Sequence, residues 1–330
     1  MRRHPQREPP ATGGALGGGE PLVALAVGSR LFTVKPQAAP MTTAIALTIG
    51  GSDSGGGAGI QADLKTFTAL GVHGCSAISC ITAQNTLGVR RVDGLPPEAL
   101  TAQIEAVVSD LAVGALKTGM LLNQALIEAT AEAIAELAVP KLIDPVMVSR
   151  AGAVLLEGGA IDAYRSCLLP QAELLTPNLH EARLLTGLAI QDAAEVEAAA
   201  ERLLAMGQTR RGAGGAAGPA AVLIKGGGLP ELRGRDYLFT RQGEGRWLTH
   251  APIATPHTHG SGCTLGAAIT AGRARGLELE AAVLAAKGYV EEGLRRALAI
   301  GGGQGPLCHW HPLIAPQPMA EGCPARGAAG

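Results

Sequence analysis

Ala44-Ile45-Ala46-Leu47-Thr48-Ile49 runs directly into Gly50-Gly51-Ser52-Asp53-Ser54-Gly55-Gly56-Gly57-Ala58-Gly59, and Ile60, Leu64, Phe67 and Leu70 follow. The apolar run with Thr interspersed reads as a strand, and apolar residues three and four apart read as one buried helix face. Strand, glycine loop, helix is the order of a βα unit. In open α/β sheets such loops lie beyond the C-terminal strand ends, where ligands bind. This loop matches neither the dinucleotide fingerprint nor the P-loop, since it has no Gly-Lys-Ser/Thr ending.

Outward from that unit the alternation continues. Strands are predicted near 75–82, 114–117, 141–143, 173–175 and 220–224, and helices near 97–110, 123–137, 179–186 and 192–206. Two short apolar runs, 237–240 and 246–249, flank Arg241-Gln242-Gly243-Glu244-Gly245 and predict a β-hairpin beside the sheet; helices at 261–275 and 279–298 close the domain. The fold class is therefore α/β: a mostly parallel central sheet, helices on both faces, and a small hairpin at one edge. Residues 208–219, with Arg210-Arg211 and four glycines, predict a mobile surface loop.

Composition agrees. The 330 residues are 47% apolar and only 2% aromatic, so Ala, Leu, Val and Gly build the interior, as where helices lie close on a parallel sheet. A net charge of -1 gives no nucleic-acid surface, and no apolar run approaches the roughly 20 residues that span a bilayer. Six cysteines without metal or disulfide spacing point to a reducing cytoplasm. Residues 1–40 carry arginines, prolines, Gly-Gly-Gly and one apolar patch at 22–27. They read as a disordered N-terminal extension rather than an export signal, with Met41 an alternative start. The domain is placed at 41–311 and a flexible tail at 312–330.

Four polar or glycine-rich clusters fall at predicted strand ends, and a fifth opens a helix. The first is the 50–59 loop with Asp53 and, beyond it, Asp63. In Ala83-Gln84-Asn85-Thr86, Gln84 offers the donor and acceptor that an aminopyrimidine edge requires; the plainer reading is a turn. In Thr176-Pro177-Asn178-Leu179-His180-Glu181, Asn178 and Glu181 form a capping-box pattern and also suit the water shell of a Mg²⁺ ion. Lys225-Gly226-Gly227-Gly228 places a lysine where it can approach nucleotide phosphates, although solvated lysines are commoner. In Thr258-His259-Gly260-Ser261-Gly262-Cys263-Thr264, glycines flank a thiol at a helix start, a place where amides bind anions and thiol ionisation is eased. A buried, inert cysteine is the alternative there.

With these motifs in order, the chain resembles the ribokinase-like vitamin kinases, and within them the hydroxymethylpyrimidine/phosphomethylpyrimidine kinases of thiamine synthesis. The likeness covers about 43–311. It rests on Gly59-Ile60-Gln61-Ala62-Asp63-Leu64-Lys65-Thr66, Ala83-Gln84-Asn85-Thr86, Asp144-Pro145-Val146-Met147 and Thr258 to Thr264. The resemblance implies a ribokinase-like three-layer sandwich. It implies ATP-dependent phosphorylation of 4-amino-5-hydroxymethyl-2-methylpyrimidine to the monophosphate and then the diphosphate. Gln84 would bind the pyrimidine, with Gly51, Asp63 and Met120 shaping its pocket. Lys225 and Asn178 would serve the nucleotide, and Asn178 and Glu181 would hold Mg²⁺ through water. Gly260, Ser261, Gly262 and Cys263 would form the anion hole, with Cys263 the base of the first step where most of the superfamily has aspartate. A homodimer is implied too. Gly55 stands where the family usually has serine, and residues 1–40 have no counterpart. Competing readings are a pyridoxal or pyridoxamine kinase of the same fold, a pyrimidine-binding protein without catalysis, and a cysteine hydrolase using His257 or His259.

Overall fold

The computed structural model describes residues 23–27, 30–34, 43–147, 159–206 and 218–314. It divides into residues 1–42 and 43–330. Within the first unit, β1 (Val23–Val27) pairs antiparallel with β2 (Arg30–Val34), Val23 opposite Val34. The reading of 1–40 as unstructured omits this pairing. The rest of that stretch, the 208–217 part of the loop and the tail from 315 lie outside the described residues.

The second unit runs β3 (Ile45–Asp53), α1 (Gly59–Ala69), β4 (His73–Asn85), β5 (Gly88–Gly94), α2 (Pro97–Val108), β6 (Ala115–Thr118), α3 (Gln124–Ala133), β7 (Lys141–Ile143) and α4 (Ala160–Ala163). It continues with β8 (Leu174–Leu175), α5 (Leu179–Thr186), α6 (Ala193–Met206), β9 (Ala221–Lys225), β10 (Arg235–Thr240), β11 (Gly245–Thr249), α7 (Ser261–Ala274) and α8 (Leu279–Arg295). The nine strands β3–β11 form one sheet in the order β11-β10-β9-β8-β7-β6-β3-β4-β5. From β9 across to β4 every pair is parallel. Antiparallel strands finish both edges, β5 on β4 and β10–β11 on β9.

Alternation along the strands sets the layers, because successive side chains face opposite sides of a sheet. Val222 and Ile224 join a core shared with Leu100 and Ile104 of α2, Leu126 and Ile127 of α3, and Leu203 of α6. Ala221 and Leu223, on the other face, pack with Leu265 and Ile269 of α7 and Val283 of α8. Helices therefore cover both faces, and the sandwich is three layers deep. No helix of the described residues is long and apolar enough to cross a membrane.

Two elements depart from the sequence reading. The strand expected to stop at Ile49 continues through Gly50 to Asp53, since β4 offers a parallel partner there, with an irregular register between Gly50 and Ser52. The second is β5, and a hairpin thus closes each edge rather than one. Its sequence Gly-Val-Arg-Arg-Val-Asp-Gly has no regular apolar alternation and becomes a strand only by pairing with β4. Gln84 and Asn85 consequently end a strand instead of forming a turn.

Candidate active site

Parallel strands deliver their last residues to one rim. β3 ends on Asp53, β4 near Gln84, β6 runs into Gly119 and Met120, β7 into Asp144, and β9 ends on Lys225. β8 reaches Asn178 through Thr176 and Pro177, and Asn178 bridges to Lys225 in parallel register. A cavity of about 850 Å³ lies along this rim, within the range of small-molecule sites. All eleven residues singled out above line it: Gly51, Asp63, Gln84 and Met120, Asn178, Glu181 and Lys225, and Gly260 to Cys263. Gln84 and Cys263 face the same space, as one ligand touching both would need.

At one end, α7 begins without a side-chain cap; the Ser261 N–H donates to the Thr258 carbonyl at 3.2 Å, and Gly262 and Cys263 follow it in the first turn along the cavity wall. Its N-cap, Gly260, has φ 79°, and a Cβ there would fall 1.8 Å from the Gly57 carbonyl oxygen. No other residue fits. Lys225 Nζ stands beside this turn, 3.5 Å from where a Gly262 Cβ would be. Burial alone would lower the Lys225 pKa, but the Asp144 and Glu181 carboxylates raise it. The ammonium donates to Asp144 Oδ1 at 2.8 Å.

Cys263 corrects an expectation. Its thiol is pushed up to about 11, by burial first and by the Asp63 and Asp144 charges, against the opposing pull of Lys117 and a backbone hydrogen bond from Gly59. The helix terminus does not win. Cys263 is therefore a neutral thiol near pH 7 and not a ready base. Alkylation by iodoacetamide should follow a midpoint near 11 in the folded protein and near 8.5 in urea. A folded-state midpoint at or below 8.5 would show that the turn amides dominate. Because the folded value lies above the unfolded one, this group costs stability as pH rises through that window.

At the other end, Gly51 is closely packed: a Cβ would lie 2.8 Å from Met120 Cε and 2.9 Å from Cys80 Sγ, so those two side chains would have to shift. The glycine-rich loop is folded around Asp53. Its Oδ1 accepts from Gly55 N at 2.8 Å, and its Oδ2 from Gly57 N at 3.0 Å and Ala58 N at 2.8 Å. The Gly55 departure thus leaves the loop tethered through its backbone. Gln84 is held by its own backbone, N–H donating to Ser54 Oγ and carbonyl accepting from it, at 2.8 and 2.7 Å.

Between the two ends lies a buried ion pair. Lys117 Nζ donates to Asp63 Oδ2 at 2.8 Å, with the two side chains 1% and 2% exposed. Thr48 Oγ1 donates to the same oxygen at 2.6 Å. Burial works against the Lys117 charge, but Asp63, Cys263 and Asp144 hold its pKa above the usual range. Asp63 Oδ1 is buried with no hydrogen-bond partner among the described residues. A buried acceptor in a ligand cavity calls for a donor from the ligand.

Asn178 and Glu181 do form the capping box: Asn178 Oδ1 accepts from Glu181 N at 2.9 Å and Glu181 Oε2 from Asn178 N at 2.8 Å. Burial pushes Glu181 up to about 7, Lys225 pulls it down, and Asp144 adds to the rise. A buried carboxylate whose proton affinity is raised by burial and by a neighbouring carboxylate is a setting a cation relieves. Among the described residues no three His, Cys, Asp or Glu side chains converge as metal ligands.

Four contributors went unassigned in the sequence: Thr48, Lys117, Asp144, and His259 as a partner of Asp53 and Gln84. Asp144 opens Asp144-Pro145-Val146-Met147 directly after an apolar strand, and this position is its only local signal. Thr48 and Lys117 lie within strands and gave none. His259 Nε2 lies 3.0 Å from Asp53 Oδ2 and 3.3 Å from the Gln84 side-chain amide, so this nitrogen is engaged there rather than paired with a thiol as a hydrolase would require.

Comparison with known proteins agrees with this site. The sequence profile described as phosphomethylpyrimidine kinase matches residues 53–308. The chain is 56% identical over 275 residues to the hydroxymethylpyrimidine/phosphomethylpyrimidine kinase of Synechococcus elongatus, covering 83% of this chain and 100% of that protein. Among solved structures, Bacillus subtilis pyridoxal kinase in an ADP complex superposes with a TM-score of 0.71 at 35% identity, covering 81% of this chain and 98% of that one. The phosphomethylpyrimidine kinase of Clostridium difficile gives 0.65 at 37% identity, with 75% and 98% covered. With its profile matched over most of its length and its strand ends arranged around one kinase-type cavity, the chain belongs to the phosphomethylpyrimidine kinase family and has the ribokinase-like fold.

Proposed function

We propose that this chain transfers the γ-phosphoryl group of ATP to the hydroxymethyl oxygen of 4-amino-5-hydroxymethyl-2-methylpyrimidine, and then a second group to the resulting monophosphate. The observation that carries the reading is the single cavity shared by Gln84, Lys225 and the amides that open α7. Phosphoryl transfer asks a protein mainly for alignment and charge stabilisation, because the transition state is loose. Gln84 holds the heterocycle, with Gly51 and Met120 against it. Lys225 and the Gly260–Cys263 turn face the transferred group.

In the first step the substrate oxygen forms a bond to phosphorus as the bond to ADP breaks. Asp63 Oδ1 takes the hydroxyl proton, and Cys263 serves as a neutral donor toward the phosphoryl oxygens. In the second step the nucleophile is a phosphate, ionised near neutral pH, and no base is needed. Mg²⁺, when bound with ATP, shields phosphate charge; Glu181, Asp144 and Asn178 would hold its waters. The free state of the five described cysteines supports a reducing, cytoplasmic setting.

Purified protein with Mg-ATP and the hydroxymethylpyrimidine should yield monophosphate and then diphosphate, while Lys225→Ala should raise KM for ATP about tenfold or more. Pyridoxal belongs in a parallel assay, because solved relatives at 31–35% identity are pyridoxal kinases. Turnover of pyridoxal alone would overturn the assignment.

A further inference from the structure

The side-chain amide of Gln84 touches two groups, and each dictates which end it meets. His259 Nε2 sits 3.0 Å from Asp53 Oδ2, a carboxylate oxygen already accepting from Gly57 and Ala58 amides. Two lone pairs cannot face each other at that distance, so Nε2 carries a proton and donates it to Asp53. Backbone and His259 donors also hold Asp53 below the usual carboxylate range, against burial, which alone would raise it. A protonated Nε2 has no lone pair for an amide N–H to meet, so the amide atom 3.3 Å from it must be the oxygen, reached by the same proton as the weaker branch of a shared bond. On the opposite side, Thr82 Oγ1 lies 2.9 Å from the Ser52 carbonyl oxygen, which only accepts, and 3.1 Å from the other amide atom. Its one proton goes to Ser52, and that amide atom must be a donor.

The two ends of a carboxamide are interchangeable in shape, and hydrogen bonding decides between them. We infer that His259 and Thr82 lock the Gln84 amide with Oε1 toward His259 and Nε2 toward Thr82, and thereby make the pocket specific for a 4-amino rather than a 4-oxo pyrimidine. The inference rests on the reading of Gln84 as the pyrimidine-binding amide.

The chemistry follows from the edge of the ring. A 4-aminopyrimidine presents an amino donor beside a ring-nitrogen acceptor, and a 4-oxo ring presents the reverse, a carbonyl acceptor beside an N–H donor. The hydroxymethyl carbon must face the Cys263 turn for transfer, so the ring cannot turn over to suit the wrong amide. Only the amide could turn, and two fixed neighbours prevent it. His259 is itself anchored, its N–H donating to the Gly305 carbonyl at 3.2 Å, with an isolated parallel bridge to Pro306. His259 and Thr82 are positioning residues: they act on the substrate through Gln84. Sites built to pair a polar group reject mismatched analogues by far more than apolar contacts do.

The test compares kcat/KM for 4-amino-5-hydroxymethyl-2-methylpyrimidine with that for its 4-oxo analogue. The native enzyme should prefer the amino form by about 100-fold or more. Thr82→Val and His259→Leu should each reduce that ratio about tenfold, chiefly by raising KM for the amino substrate, while KM for ATP stays within twofold. Thr82→Ser, which keeps the hydroxyl, should retain the native ratio; a purely structural role would not distinguish Ser from Val in this way. An unchanged ratio in Thr82→Val and His259→Leu proteins of native melting temperature would overturn the lock. If Gln84→Leu left kcat/KM for the amino substrate intact, the substrate assignment itself would fall, and the lock with it.

Discussion

Lys117→Met should destabilise the protein by about 3–5 kcal/mol, a large share of the roughly 5–15 kcal/mol that holds a domain together. The methionine fills the same volume, so packing is not what is lost. What remains is Asp63, 2% exposed, with, among the described residues, only the Thr48 hydroxyl on its Oδ2 and no donor on its Oδ1. An uncompensated buried carboxylate is the costly product of breaking such a pair. The double variant Asp63→Asn, Lys117→Met removes both charges and should recover most of the loss, although activity should stay low on the proposed role of Asp63 in the cavity it lines. Urea unfolding of the single and double variants reads this directly, with Asp63→Asn completing the cycle. If the double variant were as unstable as Lys117→Met, the charge would not be the cause.

Gly260→Ala should lower kcat for both phosphorylations by about 100-fold or more, the loss seen when one preorganised donor to a developing charge is removed. Two costs act at once. The φ of 79° suits glycine, and the new methyl carbon would sit 1.8 Å from the Gly57 carbonyl oxygen. Either the glycine-rich loop retreats or α7 starts later, and both displace Cys263 from the cavity. Gly276→Ala is the matched control. It has φ 82° with open space around the Cβ position and follows the far end of α7, so it should cost about 1–2 kcal/mol and leave turnover intact. Steady-state kinetics and melting curves for the pair separate the contact with Gly57 from backbone strain. Equal activity in the two variants would mean that the turn does not align the phosphoryl group.

Much of the site was legible because its residues stand out locally. Gln84, Asn178 and Lys225 each follow an apolar strand and belong to short polar or glycine-rich clusters, while Gly260 to Cys263 opens an apolar helix. The bounds of β7 and α5 also matched, the latter because Asn178 and Glu181 announce its first turn. Lys117 and Thr48 could not be found this way. Each is a polar residue with apolar neighbours before it in its strand, and each acquires meaning only from Asp63, 54 and 15 positions away. β5 was missed for a related reason, since an edge strand with much of its surface in water need not alternate.

Local chemistry, readable from the order of residues, determined the α/β alternation, the rim on which the chemistry lies and the types of group found there. Spacing and composition carry that information because they act over a few residues. The protonation of Cys263 and the orientation of the Gln84 amide were decided only in three dimensions. A helix start by itself favours a thiolate, yet burial beside Asp63 and Asp144 keeps the proton on sulfur. A glutamine by itself has no preferred end, yet His259 and Thr82, brought from α7's approach and from β4, leave it one. Electrostatic and hydrogen-bond energies depend on distance through space, and no count of residues along the chain supplies that distance.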